Sequence, residues 1–171
     1  MDTFLAIASR RDERRTRAEP LPADVVDRIL DAGRLTGSAG NRQPWTFVVP
    51  ESAARVEALA QAVYVPENLL GAGLVVAVLV EGRGPTRFDA GRATQSMLLA
   101  AWNDGIASCP NGVADQEAAR TATDAADGEE VAIVLSFGLP DRPRDVTSRT
   151  SPEWSARANR RPLDEVVRRV S

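Results

Sequence analysis

Residues 73–80 read GLVVAVLV and carry seven apolar side chains in succession. A run of that length is too short to span a membrane and reads as a buried strand. EVAIVLSFG, residues 130–138, reads the same way. Strands of this kind need cover on both sides. The longest predicted helix, residues 87–104, lies between them in sequence. Its stretch MLLAAW is apolar nearly all round, so it is expected to be buried on several sides. An earlier helix, PADVVDRILDAGRLT, puts Val25, Val26, Ile29, Leu30 and Gly33 on one face. Helices and short buried strands interleave, which implies a three-layer sandwich with a sheet in the middle.

The remaining pattern is coarser. Residues 2–10 suggest a short helix, followed by an arginine-rich loop. A loop at 36–43 leads into a strand at 45–49. Ser52 is placed to cap a helix running to about Val63, with Glu51 near its positive end. YVPENLLGAG reads as a turn, GIASCPNG as a loop or short strand, and residues 115–126 as a polar helix. From Pro140 to Pro162 there is little periodicity, which suggests an extended arm before the closing LDEVVRRV. No internal repeat is visible, and residues 1–171 read as a single domain.

What is missing narrows the chemistry. The chain has no histidine, and all 21 of its basic residues are arginine. A Ser-His-Asp triad, a Cys-His pair, a lysine Schiff base and a Walker P-loop are therefore excluded within it. Zinc sites built on histidine and several cysteines are excluded too, because Cys109 is the single cysteine. Carboxylates leave a Mg²⁺ site or a two-carboxylate hydrolase open. Otherwise a cofactor has to carry the chemistry while the protein binds and orients it. One cysteine allows no internal disulfide, and no targeting or membrane-spanning segment is evident, so a cytoplasmic location is expected.

The arginines are unevenly spread. Arg10, Arg11, Arg14, Arg15 and Arg17 fall within RRDERRTR, and Arg160 and Arg161 form a late pair. The bland reading is a solvated face with Asp12 and Glu13 as partners. Nucleic-acid binding fits less well, since the net charge is −3 and few aromatics interleave with the arginines. A small phosphate-bearing ligand is the third reading, because planar arginine forks suit phosphate.

LDAGRLTGSAGNRQPWTFVV resembles the FMN-dependent nitroreductase family, in which a helix ends in a Pro-Ser-Ala-Gly-Asn-x-Gln-Pro-Trp-like loop before a strand. Other segments agree in order. SRRDER resembles the family's N-terminal phosphate motif. FDAGRATQSMLLAAWNDGIASCPNG resembles its long central helix and Gly-x-x-Ser-Cys-x-x-Gly loop. VAIVLSFGLPDRPR resembles its strand ending in Gly-x-Pro, and RRPLDEVV its C-terminal basic element. The resemblance implies an α+β fold: a three-layer α/β/α sandwich around a mixed, mainly antiparallel sheet, with a C-terminal arm exchanged in a homodimer.

It also implies roles. Arg10, Arg11 and Arg14 match phosphate-binding positions, and Arg160 or Arg161 a late basic residue that reaches the same phosphate. Ser38, Asn41 and Gln43 match loop positions that contact flavin, usually from the partner subunit. Asn68 is placed near the pyrimidine edge of the ring, and Pro110 and Asn111 count among the cofactor-binding positions. Gly112 sits where the family aims a backbone N–H at flavin N5. Plainer readings stand beside these: Ser38 and Asn41 as turn formers, Gly112 as a turn glycine, Cys109 as a packed side chain, and Trp45 and Trp102 as core or interface. Two departures are visible. Gly37 replaces the usual proline, and Asp12 stands where serine is common.

The implied activity is a ping-pong oxidoreductase. NADH or NADPH reduces FMN, which then reduces a nitroaromatic, a quinone or a related small acceptor. Nothing resembling Gly-x-Gly-x-x-Gly distinguishes NADH from NADPH. Alternatives are a non-catalytic flavin-binding protein, a flavin-dependent dehydrogenase and a flavin-fragmenting enzyme. No nucleic-acid or membrane partner is expected.

Overall fold

The computed structural model describes residues 1–170. In chain order its elements are α1 (Thr3–Ser9), β1 (Thr16–Arg17), α2 (Ala23–Arg34), β2 (Trp45–Val48), α3 (Ala53–Gln61), α4 (Glu67–Leu70), β3 (Leu74–Val80), α5 (Thr86–Asn103), β4 (Ala107–Asn111), α6 (Gln116–Ala122), β5 (Glu130–Pro140), α7 (Ser151–Ala156) and α8 (Leu163–Val166). They fall into two compact units, residues 11–143 and residues 1–10 with the chain from 144 onward.

The larger unit is built on its sheet. The strand order is β1-β5-β3-β2, with β4 also paired to β5. All four pairings are antiparallel, so the mixed component of the expectation is not among them. β3 is buried along its whole length, as its composition requires. Its side chains alternate between two cores. Leu74, Val76, Val78 and Val80 pack with Ile29 of α2 and with Ala90, Met97, Leu98 and Ala101 of α5. Val75, Ala77 and Leu79 pack with Leu59 and Ala60 of α3, Leu69 of α4, and Ala119 and Ala122 of α6. Helices therefore cover both faces, giving three layers. Each fully buried Val or Leu contributes about 1.5–3 kcal/mol relative to exposure.

The β3/β5 register shifts between Val78, opposite Ile133, and Leu79, opposite Val131. Ala132 is the extra residue of a bulge. It lets Ala132 and Ile133 both pack toward the α2/α5 core, while Val131 and Val134 face the other. On α2, the buried Gly33 permits close approach to the sheet. A Cβ there would lie 2.9 Å from the Phe47 ring and 3.0 Å from Met97.

Several local expectations change. The segment read as a turn contains α4, with Pro66 at its start. GIASCPNG contributes a full strand, β4, whose Ala107, Ser108 and Cys109 are buried beside β5. The arginine-rich loop contains β1, short but fixed because Thr16 Oγ1 donates to Gly71 O at 2.7 Å. Ser52 does cap α3, accepting from Arg55 N–H at 3.2 Å.

In the smaller unit α1 packs against α7. Asp2 caps α1 by accepting from Leu5 N–H at 3.0 Å. The stretch 140–162, expected to be extended, contains a short turn at Val146–Ser148 and then α7. Glu153 accepts from both the backbone N–H and the hydroxyl of Thr150, each at 2.7 Å, forming a capping box. Trp154 is buried, and its Nε1 donates to Val146 O at 2.9 Å. The Arg144 and Arg149 guanidinium groups lie 5.9 and 5.0 Å from its ring centroid.

Candidate functional site

The 36–43 loop is built tightly. Ser38 Oγ accepts from Gln43 N–H at 2.8 Å, and Ser38 O accepts from Asn41 N–H at 3.0 Å. Three of its residues have left-handed backbones: Gly40 (φ 59°), Asn41 (φ 54°) and Gln43 (φ 51°). Glycine takes this conformation without penalty and asparagine tolerates it, but for Gln43 it costs on the order of 1–3 kcal/mol. Strain of this kind persists only where the surroundings hold it. Ser38 supplies one clamp. Asp89 supplies the other: this carboxylate in the first turns of α5 is 2% exposed, and its Oδ2 accepts from Ala39 N–H at 3.0 Å. Its Oδ1 lies 3.6 Å from Arg92 Nη1.

Sequence reasoning did not single out Asp89. The signal was available, because Asp89, Ala93, Met97 and Ala101 share one stripe of α5 at four-residue spacing. A carboxylate on an otherwise apolar stripe asks for a partner.

Gly37, where the resemblance implies proline, lies under Arg92. A Cβ at 37 would be 3.1 Å from Arg92 Nη2. That guanidinium also lies 5.9 Å from the Phe88 ring centroid. These residues border an open cleft of about 570 Å³, lined also by Thr36, Gln95, Ser96 and Leu99.

A second cluster forms at the end of β4. Asn68 and Asn111 are buried, and Asn68 Nδ2 donates to Asn111 Oδ1 at 2.8 Å. Asn111 Nδ2 lies 3.0 Å from Cys109 O, 3.3 Å from Val134 O and 3.2 Å from Ser136 Oγ. The Asn111 side chain is therefore fully engaged within the protein. A buried amide needs such partners, and these hold the Asn111 side chain in place. Pro110 is half-buried and Gly112 exposed. Gly112 O accepts from Tyr64 N–H at 3.2 Å, and a Cβ on Gly112 would come within 3.2 Å of the Tyr64 ring. Among the described residues, neither Gly112 N–H nor Asn68 Oδ1 has a protein partner. An acceptor and a donor thus stand ready near one strand end.

The expected phosphate-binding arginines divide between the units. Arg11, half-buried, and Arg14, exposed, belong to the larger one. Arg10, half-buried, and the exposed Arg160 and Arg161 belong to the smaller. Arg160 Nη1 donates to Ala158 O at 3.1 Å. Cys109 is buried in β4, Trp102 is buried in α5, and Trp45 stacks on Phe47 with ring centroids 6.3 Å apart. Among the described residues no cluster of three acidic or cysteine side chains could hold a metal ion. No helix among them is long and apolar enough to cross a membrane.

Residues 7–75, which include the 36–43 loop and Asn68, match the model of the nitroreductase family. A solved structure from Desulfovibrio desulfuricans, provisionally a nitroreductase and determined in complex with FMN, superposes with a TM-score of 0.80. It is 25% identical, and the alignment covers 100% of this chain and 98% of that one. The chain has the nitroreductase fold. Two archaeal relatives are provisionally named NADH dehydrogenase/NAD(P)H nitroreductases. The protein of Archaeoglobus fulgidus is 29% identical over 149 residues, 81% of this chain and 86% of the relative. That of Methanothermobacter thermautotrophicus is 28% identical over 118 residues, 66% of this chain and 62% of the relative. The chain thus spans less than two thirds of the latter's length. On a nitroreductase fold, the 36–43 loop holds three left-handed backbones, and the end of β4 offers the Gly112 N–H and the Asn68 side-chain oxygen without a protein partner among the described residues.

Proposed function

We propose that this chain is an oxidoreductase that binds FMN, takes electrons from NADH or NADPH, and passes them to a small acceptor such as a nitroaromatic or a quinone in a ping-pong cycle. The observation that carries this reading is the pair of groups without a protein partner near the end of β4, the Asn68 side-chain oxygen and the Gly112 N–H. A flavin ring presents both hydrogen-bond donors and acceptors along its edges, so the two groups suit it. Bound FMN would supply the hydride chemistry that a chain without histidine or lysine lacks.

The protein's own part is binding and orientation. Arg10, Arg11, Arg14 and one of Arg160 and Arg161 would hold the phosphate by charge-assisted hydrogen bonds. Ser38, Asn41 and Gln43 would meet the flavin across a two-fold interface, and Gly112 N–H would donate to the ring. Exposed apolar side chains support a homodimer. Leu35 is 67% exposed, Tyr64 75% and Phe88 68%. The MLLAAW segment adds no support, since Met97, Leu98, Ala101 and Trp102 are already buried within this chain.

The visible spectrum of the purified protein tests the cofactor, and oxidation of NADH and NADPH with a quinone acceptor tests the activity. Flavin bands near one per chain with steady turnover are expected. A colourless protein that binds no added FMN would overturn the reading. A yellow protein that oxidises neither nicotinamide would make it a flavin-binding protein without this activity.

A further inference from the structure

The Asn68–Asn111 pair carries an inference about polarity, which rests on the flavin reading above. The backbone carbonyls of Cys109 and Val134 both face the Asn111 amide. A carbonyl oxygen can only accept, so the amide end turned toward them has to be Nδ2. Ser136 reinforces this orientation. Its hydroxyl donates to Cys109 O at 3.3 Å and leaves its own lone pairs for Asn111 Nδ2 at 3.2 Å. Asn111 Oδ1 is thereby turned toward Asn68, and Asn68 has to answer with its Nδ2 at 2.8 Å. The Asn68 oxygen is what remains, with no protein donor among the described residues.

We propose that Asn111, supported by Ser136, is a positioning residue that fixes the Asn68 amide as an obligate acceptor. Asn68 then selects a ring N–H over a ring carbonyl. The chemistry it recognises is an imide-type N–H, which in a flavin is the pyrimidine N3–H. The two fixed carbonyls at the sheet dictate the orientation, and Asn111 relays it to Asn68. Neither side chain needs to titrate, and the device works in a chain without histidine.

Two measurements on the full-length protein separate this idea from the flavin reading. The first needs no flavin. In ¹⁵N spectra of the apo protein, the Asn68 side-chain amide protons should exchange slowly with solvent. Asn111→Ala should make that exchange at least tenfold faster while leaving backbone amides of β3 protected. Unchanged Asn68 exchange in a folded Asn111→Ala protein would overturn the relay. The second compares the dissociation constants of FMN and N3-methyl FMN. The wild type should prefer FMN at least tenfold. Asn68→Ala and Asn111→Ala should bring the two within threefold of each other, mainly by weakening FMN. A wild type that binds both flavins equally would overturn the assignment of Asn68 to N3–H, even though flavin binds. Should Asn111→Ala fail to fold, Ser136→Ala removes one support and should reduce the preference by about threefold. A full preference retained in that variant counts against the proposal. If no flavin binds, the flavin reading fails and the N3–H assignment with it, whereas the exchange measurement still decides the relay.

Discussion

Asp89 and Ala39 stand fifty positions apart, yet the Asp89 carboxylate accepts the Ala39 N–H at 3.0 Å from a site that is 2% exposed. This bond ties α5 to a loop whose Gln43 holds a left-handed backbone. Removing the carboxylate leaves a part-buried N–H without its acceptor, at a cost of about 1–3 kcal/mol. Asp89→Ala should lower thermal stability and raise amide exchange at residues 39–43. Asp89→Asn keeps an acceptor oxygen and should recover most of the loop protection. Equal loss in both variants would point to charge, through Arg92, rather than to the hydrogen bond.

The close approach of α2 to the sheet gives a second test. A methyl group at Gly33 would sit 2.9 Å from the Phe47 ring and 3.0 Å from Met97. Overpacking of this kind costs about 1–3 kcal/mol. Gly33→Ala should therefore lower the free energy of unfolding by that amount, read from denaturant titrations. The paired substitution Gly33→Ala with Met97→Leu tests whether the side chain of Met97 can make room.

Acid should weaken the capping box of α7. The Thr150 N–H and hydroxyl hold the Glu153 carboxyl below its usual range. A group with a depressed value in the folded state stabilises above its ordinary value and loses that contribution as the pH falls through the depressed one. The Thr150 amide resonance should titrate with a midpoint below the ordinary glutamate value. Glu153→Gln, which can still complete a capping box, should remove that titration while keeping α7 formed. A Thr150 shift that ignores pH in the wild type would show that the box does not form in solution.

This cap shows what the sequence held and what went unread. Thr150-Ser151-Pro152-Glu153 carries a helix-start signature, with Thr and Glu three apart and a proline in the first turn. The surrounding Pro, Arg and Ser hid it, because α7 is six residues long and too short for a periodic pattern. α4 was hidden for the same reason. The sandwich was legible because β3 is apolar throughout and cannot lie at a surface. The 36–43 loop was legible as a motif, but its clamp was not, since Asp89 lies fifty residues from the N–H it accepts. In the other cluster, the resemblance makes Asn111 a cofactor-binding position without saying where its side chain turns. Only the positions of the Cys109 and Val134 carbonyls reveal that its amide is spent inside the protein.

The N-terminal arginines can be tested by ligand comparison. Arg10 and Arg14 sit in an otherwise acidic, lysine-free chain. Each charge-assisted contact to a phosphate contributes about 1.5–3 kcal/mol. Replacing both by alanine should weaken FMN binding at least tenfold while riboflavin, which lacks the phosphate, changes little. Equal losses for the two flavins would show that these side chains do not read the phosphate.

The last test concerns the chain beyond β5. Truncation after Pro140 leaves the sheet strands intact but removes α7, and with it the helix against which α1 packs. It also removes the buried Trp154, the pair Arg160 and Arg161, and the exposed Leu163, Val166 and Val167. Exposed apolar side chains on so short a helix find cover most economically on a second copy. If the arm is exchanged between subunits and carries an arginine to the phosphate, then folding, dimerisation and FMN retention are linked. Sedimentation of the full-length protein should give a dimer with flavin bound. The truncated chain should sediment as a monomer and lose FMN in the same preparation. A truncated chain that stays dimeric but colourless would assign the arm to the phosphate alone. A full-length monomer that keeps its flavin would refute the shared site outright.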